Sequence, residues 1–205
     1  MSKFSFLNDP YSKWTPITSY HEEGWGSQDP NFKTMIDKYQ PESIIEVGSW
    51  LGDSAIHMAS LSKADILCVD TWLGSWEWYT KFRQEDHWYG RLETLAGYPS
   101  VYYNFLSNIM ISGYQDRITP LPLDSLSAAR IVKDLELNSD LIYVDAGHGF
   151  DQVLKDLEAW YPLTNKAIFG DDWDTWIEVN EAVTYFCHRI QVPFNVYGRQ
   201  WVIEK

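Results

Sequence analysis

From residue 43 onward, short apolar runs alternate with stretches of helical periodicity, and that alternation restricts the fold more than any other feature. Ser43-Ile-Ile-Glu-Val47, Ala64-Asp-Ile-Leu-Cys-Val-Asp70, Asp140-Leu-Ile-Tyr-Val-Asp145 and Lys166-Ala-Ile-Phe-Gly170 are apolar nearly throughout, as strands buried on both faces are. Helices are expected over Asp53–Leu61, over Val101–Ser112 with Gly113 as the cap, and over Ser127–Leu135, Asp151–Tyr161 and Thr175–Arg189. Arg117-Ile-Thr-Pro-Leu-Pro122 reads as a short strand whose prolines suit a sheet edge. Phe194–Tyr197 and Gln200–Ile203 flank Gly198-Arg199 as a closing hairpin. Strands alternating with helices imply an α/β fold: a doubly wound, mostly parallel sheet, here with a C-terminal antiparallel hairpin.

Residues 1–42 stand apart. Pro10, Pro16, Gly24, Gly26 and Pro30 break up any long element, and a helix over Asn31–Tyr39 ends before Pro41. This segment is expected to cap residues 43–205, with the polar and aromatic insertion at about 73–98 as a lid. The chain has no apolar run of the roughly 18 residues that a membrane span needs, and its first residues lack the pattern of a signal peptide. Cys68 and Cys187 sit in apolar segments and read as reduced core thiols, which points to a cytoplasmic address. A formal net charge of -13 with scattered Lys and Arg argues against nucleic acid and anionic membrane as partners. The 11 Trp leave two uses open, core filling or stacking on a flat ligand.

The acids fall at strand ends: Asp70, Asp124, Asp145 and the pair Asp171-Asp172. In an open parallel sheet the strand C-termini form one rim, where ligands bind. Asp124 before Ser125 equally suits a helix cap. Carboxylates gathered at Asp145, Asp171 and Asp172 repel one another unless a proton or a cation sits among them, and an oxygen-rich site suits Mg2+. The loop Glu46-Val-Gly-Ser-Trp-Leu-Gly-Asp-Ser54 opens a helix, with Gly48 and Gly52 allowing close backbone approach. It lacks the middle glycine of a dinucleotide loop, and Asp53 stands where a phosphate would sit, whereas a cationic sulfonium is tolerated there. Asp70 is placed to take two ribose hydroxyls.

These segments resemble the class I S-adenosylmethionine-dependent methyltransferases. The loop Glu46–Gly52 looks like their first motif, Asp70 like their ribose-binding acid, and Leu123-Asp124-Ser125 like the segment that contacts adenine. Tyr143-Val-Asp-Ala-Gly-His-Gly-Phe150, Asp156-Leu-Glu-Ala-Trp160 and Gly170-Asp-Asp-Trp173 are similar to small-molecule O-methyltransferases of the macrolide-sugar and cephalosporin hydroxylase-like group. The resemblance covers about Ser43 to Trp173 and implies a Rossmann-like methyltransferase fold and Mg2+-assisted methylation of a small-molecule hydroxyl. A family-like Pro-Gly-Gly turn is replaced by Thr164-Asn-Lys166.

What the resemblance implies for the site is specific. Glu46, Gly48, Ser49, Gly52, Ser54, Asp70, Thr71, Trp72, Asp124, Ser125 and Asp145 would contact the cofactor, with Trp72 either stacked on adenine or in the core. Asp145, Asp171 and Asp172 would hold Mg2+, and His148 would take the acceptor's proton, with His87 a second base candidate. On that expectation Asp171→Ala abolishes metal-dependent turnover and spares cofactor affinity. Three other readings stay open: a hydroxylase-like or catalytically silent relative, a dinucleotide oxidoreductase, and an interaction module. Homo-oligomerisation is open as well.

Overall fold

The computed structural model describes the chain apart from residues 1, 5, 8, 18, 21, 22, 76–78, 80–93 and 96. Most of the expected lid, including His87, lies outside the described residues. The first long element is α1 (Pro30–Tyr39), where Asp29 caps the start by accepting from the Asn31 amide and Pro30 supplies the pre-set first turn. Strands β1 (Ser43–Val47) and β2 (Asp65–Asp70) flank α2 (Asp53–Leu61). A two-stranded ribbon follows, β3 (Thr94–Leu95) with β4 (Tyr98–Pro99), which no sequence pattern announced. Then come α3 (Val101–Ile111), β5 (Ile118–Pro122), α4 (Ser125–Asp134), β6 (Ser139–Val144), α5 (Phe150–Trp160), β7 (Thr164–Gly170) and α6 (Ile177–Ile190). The hairpin β8 (Asn195–Tyr197) and β9 (Gln200–Glu204) closes the fold.

The sheet order is β5-β2-β1-β6-β7-β9-β8. Strands β5, β2, β1, β6 and β7 are parallel, and β9 runs antiparallel to both β7 and β8. The α/β, doubly wound expectation with an antiparallel closing hairpin therefore holds, including the edge position of the proline-bearing strand. Period-2 alternation sorts the core into two layers. Ile45, Val47, Leu67 and Ile142 face α4, α5 and α6 on one side, with Trp160 and Trp201 fully buried among them. Ile44, Ile66, Cys68 and Tyr143 face α1, α2 and α3 on the other, where the Phe32 ring meets Tyr143 edge-on at 4.8 Å. Both cysteines are free and buried. No described helix is long and apolar enough to cross a membrane.

The chain moves from β1 outward to β2 and β5, then returns past β1 to β6 and β7. The crevice at the carboxyl ends of β1 and β6 is thus the switch point at which open α/β sheets place ligands. Two helices begin away from the expected residues, α4 earlier at Ser125 and α6 later at Ile177. The delay of α6 has a local cause. Asp172 takes a left-handed φ of 66°, and its carbonyl accepts from the Thr175 and Trp176 amides in a turn that precedes the helix.

Candidate functional site

The loop after β1 is built by backbone contacts that only glycine permits. Gly48 has a φ of 92°, and a Cβ there would stand 2.0 Å from the carbonyl oxygen of Asp145. The Gly48 amide donates to Val69 O and the Asp145 amide to Val47 O, so the loops after β1 and β6 are locked side by side. Asp70 closes this arrangement. Its Oδ2 accepts from the Ser49 and Trp50 amides at 3.0 and 2.9 Å, and its Oδ1 from the Trp72 amide at 2.7 Å. Burial pushes the Asp70 carboxyl up, against the downward pull of those amides.

Three expected cofactor contacts lie off the cavity lining: Trp72, Glu46 and Gly52, where an added Cβ would meet the Phe105 and Ile109 side chains. Trp72 has a φ of 53° and is 1% exposed, with its ring against Phe105 at 4.8 Å and its indole N–H donating to Trp50 O at 2.7 Å. The left-handed backbone turns the indole down onto α3, so Trp72 braces the loop from below and does not line the cavity. Glu46 is fully buried behind the loop, accepting from Ser54 Oγ at 2.5 Å and from Cys68 Sγ at 3.4 Å. Burial pushes its carboxyl up to about 7. Glu46 therefore holds Ser54 from behind the loop and does not line the cavity.

A cavity of about 860 Å³ opens above the switch point. Its floor includes Gly48, Ser49, Ser54, Asp70, Thr71 and Asp145. The wall on the β5 side is formed by Leu123, Asp124, Ser125, Leu126, Lys155 and Asp156. There Asp124 caps α4, accepting from the Ser127 amide at 3.0 Å, and the hydrogen bonds from Ser127 hold its carboxyl below the usual range. Ser125 Oγ donates to Asp156 Oδ1 and accepts from the Trp160 indole at 2.8 Å.

The N-terminal segment forms part of the cavity. Asp53, at the start of α2, accepts from Tyr20 Oη at 2.5 Å and from the Glu23 amide at 2.6 Å. The Trp50 indole donates to Glu23 Oε2 at 3.2 Å. Glu23, Gly24, Trp25 and Ser27 then line the opening. Gly26 reaches the acidic end, where a Cβ on it would lie 2.8 Å from Asp171 Oδ2.

At the β7 side Asp145, His148 and Asp172 each offer a ligand atom, all within 4.8 Å of one another. His148 Nε2 is 2.9 Å from Asp172 Oδ2, and its ring lies parallel to Trp176 at 4.9 Å. Tyr143 Oη donates to Asp145 Oδ2 at 3.3 Å. Burial first, then Asp171 and Asp172, hold the Asp145 carboxyl well above the usual carboxylate range. Asp171 is placed differently from the other two acids. Its fully buried carboxylate accepts from Arg199 Nε at 2.6 Å, and Arg199 Nη2 lies 3.3 Å from Asp172 Oδ1. Among the described residues the converging donor set is thus Asp145, His148 and Asp172, whereas the sequence grouped Asp145, Asp171 and Asp172. Arg199 escaped the sequence reading. Its signal was the two-residue turn Gly198-Arg199, which the register pairing Gly170 with Trp201 delivers to the rim beside the acidic pair.

Residues 45–173 match the family described as methyltransferase domain. A search of curated proteins returns no sequence match. Among solved structures, the fold is similar to that of an O-methyltransferase from Bacillus cereus in complex with SAH, with a TM-score of 0.57 and 14% identity over 92% of this chain and 84% of that one. It is also similar to CalS11, a TDP-rhamnose 3'-O-methyltransferase of calicheamicin biosynthesis, with a TM-score of 0.58 and 18% identity over 86% of this chain and 80% of that one. The family match runs from the glycine loop through the acidic pair, and the chain belongs to the methyltransferase-domain family.

Proposed function

We propose that this chain transfers the methyl group of S-adenosylmethionine to a hydroxyl of a small molecule. The observation that carries the reading is one continuous cavity, with the Asp70-closed glycine loop on its floor and an imidazole between carboxylates at its β7 side. Gly48, Ser49, Gly52, Ser54, Asp70 and Thr71 form or support the cofactor cradle, with Asp124 and Ser125 beside the base. The acidic lining favours a sulfonium and disfavours a phosphate-bearing cofactor. The residues up to 42, tied down at Asp53, cap the acceptor.

Transfer breaks the methyl–sulfur bond as the methyl–oxygen bond forms, and the acceptor's proton goes to His148. Trp176 holds the His148 ring flat, and Asp172 stabilises the imidazolium that results. Positioning supplies most of the acceleration. The donor chemistry at the β7 side fits Mg2+: hard carboxylate oxygens from Asp145 and Asp172, crowded enough that a cation relieves their repulsion. Bound there, the ion would lower the acceptor hydroxyl's pKa.

Calorimetric titration of S-adenosylhomocysteine, with and without Mg2+, tests the reading in wild type and Asp70→Asn. Wild-type binding that weakens strongly in the variant is the expected result. Absence of wild-type binding under both conditions would overturn the proposal, and full turnover in chelator would remove the metal from it.

A further inference from the structure

Arg199 holds the acidic rim by two unequal contacts. Its Nε donates to Asp171 Oδ1 at 2.6 Å, whereas its Nη2 lies 3.3 Å from Asp172 Oδ1. The other Asp172 oxygen faces His148 Nε2 at 2.9 Å, so each oxygen of that carboxylate already meets a nitrogen. Yet Asp172 belongs to the converging donor set, with Asp145 and His148. A divalent ion held by Asp172 would stand beside a guanidinium in a half-buried site, where like charges repel more strongly than in water. The longer of the two arginine contacts is the one such an ion breaks, and the bond to Asp171 is left as the pivot.

The segment ahead of α1 rests on the same guanidinium. Gly26 has a φ of 73°, and a Cβ on it would stand 3.0 Å from both Nε and Cζ of Arg199 and 2.8 Å from Asp171 Oδ2. It covers that oxygen without bonding it: Asp171 Oδ2 is buried and has no hydrogen-bond partner among the described residues. Such an oxygen makes the closed position costly and is hydrated when the segment lifts. Beyond Gly26 the chain turns back, with the Asp29 amide donating to Gly26 O at 3.0 Å, and Asn31 Nδ2 donates to Gln200 Oε1 at 2.8 Å. Residues 26–31 thus straddle Arg199 and Gln200. Upstream, the Glu23 amide is held separately, by Asp53. We infer that Arg199 is the resident counter-ion of Asp172, which a divalent cation must displace, and that its displacement unseats Gly26 and opens the cavity mouth. The step rests on the metal part of the function proposed above. Gly24, Trp25 and Ser27 line that mouth, so the cation enters before the acceptor, and the anchor at Asp53 keeps the segment in place as a cap.

Calorimetric titration of Mn2+ compares Asp171→Asn with the double variant Asp171→Asn/Arg199→Gln, so that a freed Asp171 carboxylate supplies no ligand in either. The double variant should bind Mn2+ more tightly, by on the order of 10-fold, because no guanidinium has to be displaced. Hydrogen exchange of the wild type gives the second readout. Saturating Mn2+ should speed exchange across residues 24–31 by about threefold or more, and Asp172→Asn should show no such change. Equal or weaker Mn2+ binding in the double variant would overturn the displacement. Wild-type exchange that Mn2+ leaves unchanged would overturn the gate, and that measurement decides alone if the double variant does not fold. Absence of Mn2+ binding in the wild type and in both variants would instead remove the metal from the proposed function, and the inference with it.

Discussion

Replacing Glu46 with Gln removes a titrating group from the middle of the sheet while keeping an oxygen for Ser54 to donate to. Glu46 is fully buried between β1 and α2, and burial raises its carboxyl from the ordinary 4.5 to about 7. For an acid held above its unfolded value, the folded state binds the proton more readily than the unfolded chain does. The stability it contributes is complete below pH 4.5 and is lost as pH rises through about 7. At about 1.4 kcal/mol for each pH unit of that window, the loss comes to about 3 kcal/mol. Groups far from Glu46 titrate alike in both proteins, and on Asp145 the Glu46 charge ranks behind burial, Asp171, Asp172 and His148, so the difference in unfolding free energy between the variant and wild type mainly reports Glu46. Urea unfolding across the window should show that difference moving in the variant's favour by about 3 kcal/mol. A difference that stays flat would mean that Glu46 titrates like an exposed carboxyl, and the buried cradle behind Ser54 would then be wrong.

The other local contacts give equally direct outcomes. Gly48→Ala forces a Cβ to 2.0 Å from Asp145 O at a φ of 92°, so it should cost about 3 kcal/mol in thermal or urea unfolding and abolish calorimetric binding of S-adenosylhomocysteine. Asp53→Asn leaves one acceptor oxygen for Tyr20 and Glu23 together, so limited proteolysis should cut within residues 20–27 faster in the variant than in wild type. Unchanged cleavage would mean that Asp53 does not anchor the segment.

The architecture was legible in the sequence because buried parallel strands leave an unambiguous trace. Ile44 and Ile45 are both apolar because each faces a different helix layer. The rim was legible for the same reason, since Asp70 ends a strand and Asp145 and Asp171 follow directly on strands. Side-chain direction was harder to read. Strand alternation puts Glu46 on the face of Ile44 and Cys68, pointing under α2 instead of up at the rim, so that direction was readable. The direction of Trp72 was not readable, because a left-handed φ at a tryptophan has no sequence signature, and with the indole bond to Trp50 O it sets the ring against the core. Asp124 offered both a cap and a ligand contact, and it caps α4 while lining the cavity.

Arg199 divides the acidic rim into two parts with different duties. Asp171 is fully buried at its carboxylate and bound to the guanidinium, so it serves the hairpin and the turn after β7. Asp145, His148 and Asp172 remain the set whose ligand atoms converge, although Asp172 also meets Arg199 Nη2 at 3.3 Å. Arg199→Gln removes the counter-charge of a buried carboxylate, which costs about 3 kcal/mol, less than a fully enclosed pair would because the arginine is 30% exposed. Adding Asp171→Asn removes the orphaned charge, and the double variant should recover most of that loss in urea unfolding with chelator present. A single variant within about 0.5 kcal/mol of wild type would show that the pair carries no weight and that Asp171 is available to a cation after all. If the pair does hold, Asp171→Asn should keep its affinity for Mn2+, measured by calorimetry, while Asp172→Asn loses it. The loss of metal that the sequence assigned to Asp171 then belongs to its neighbour.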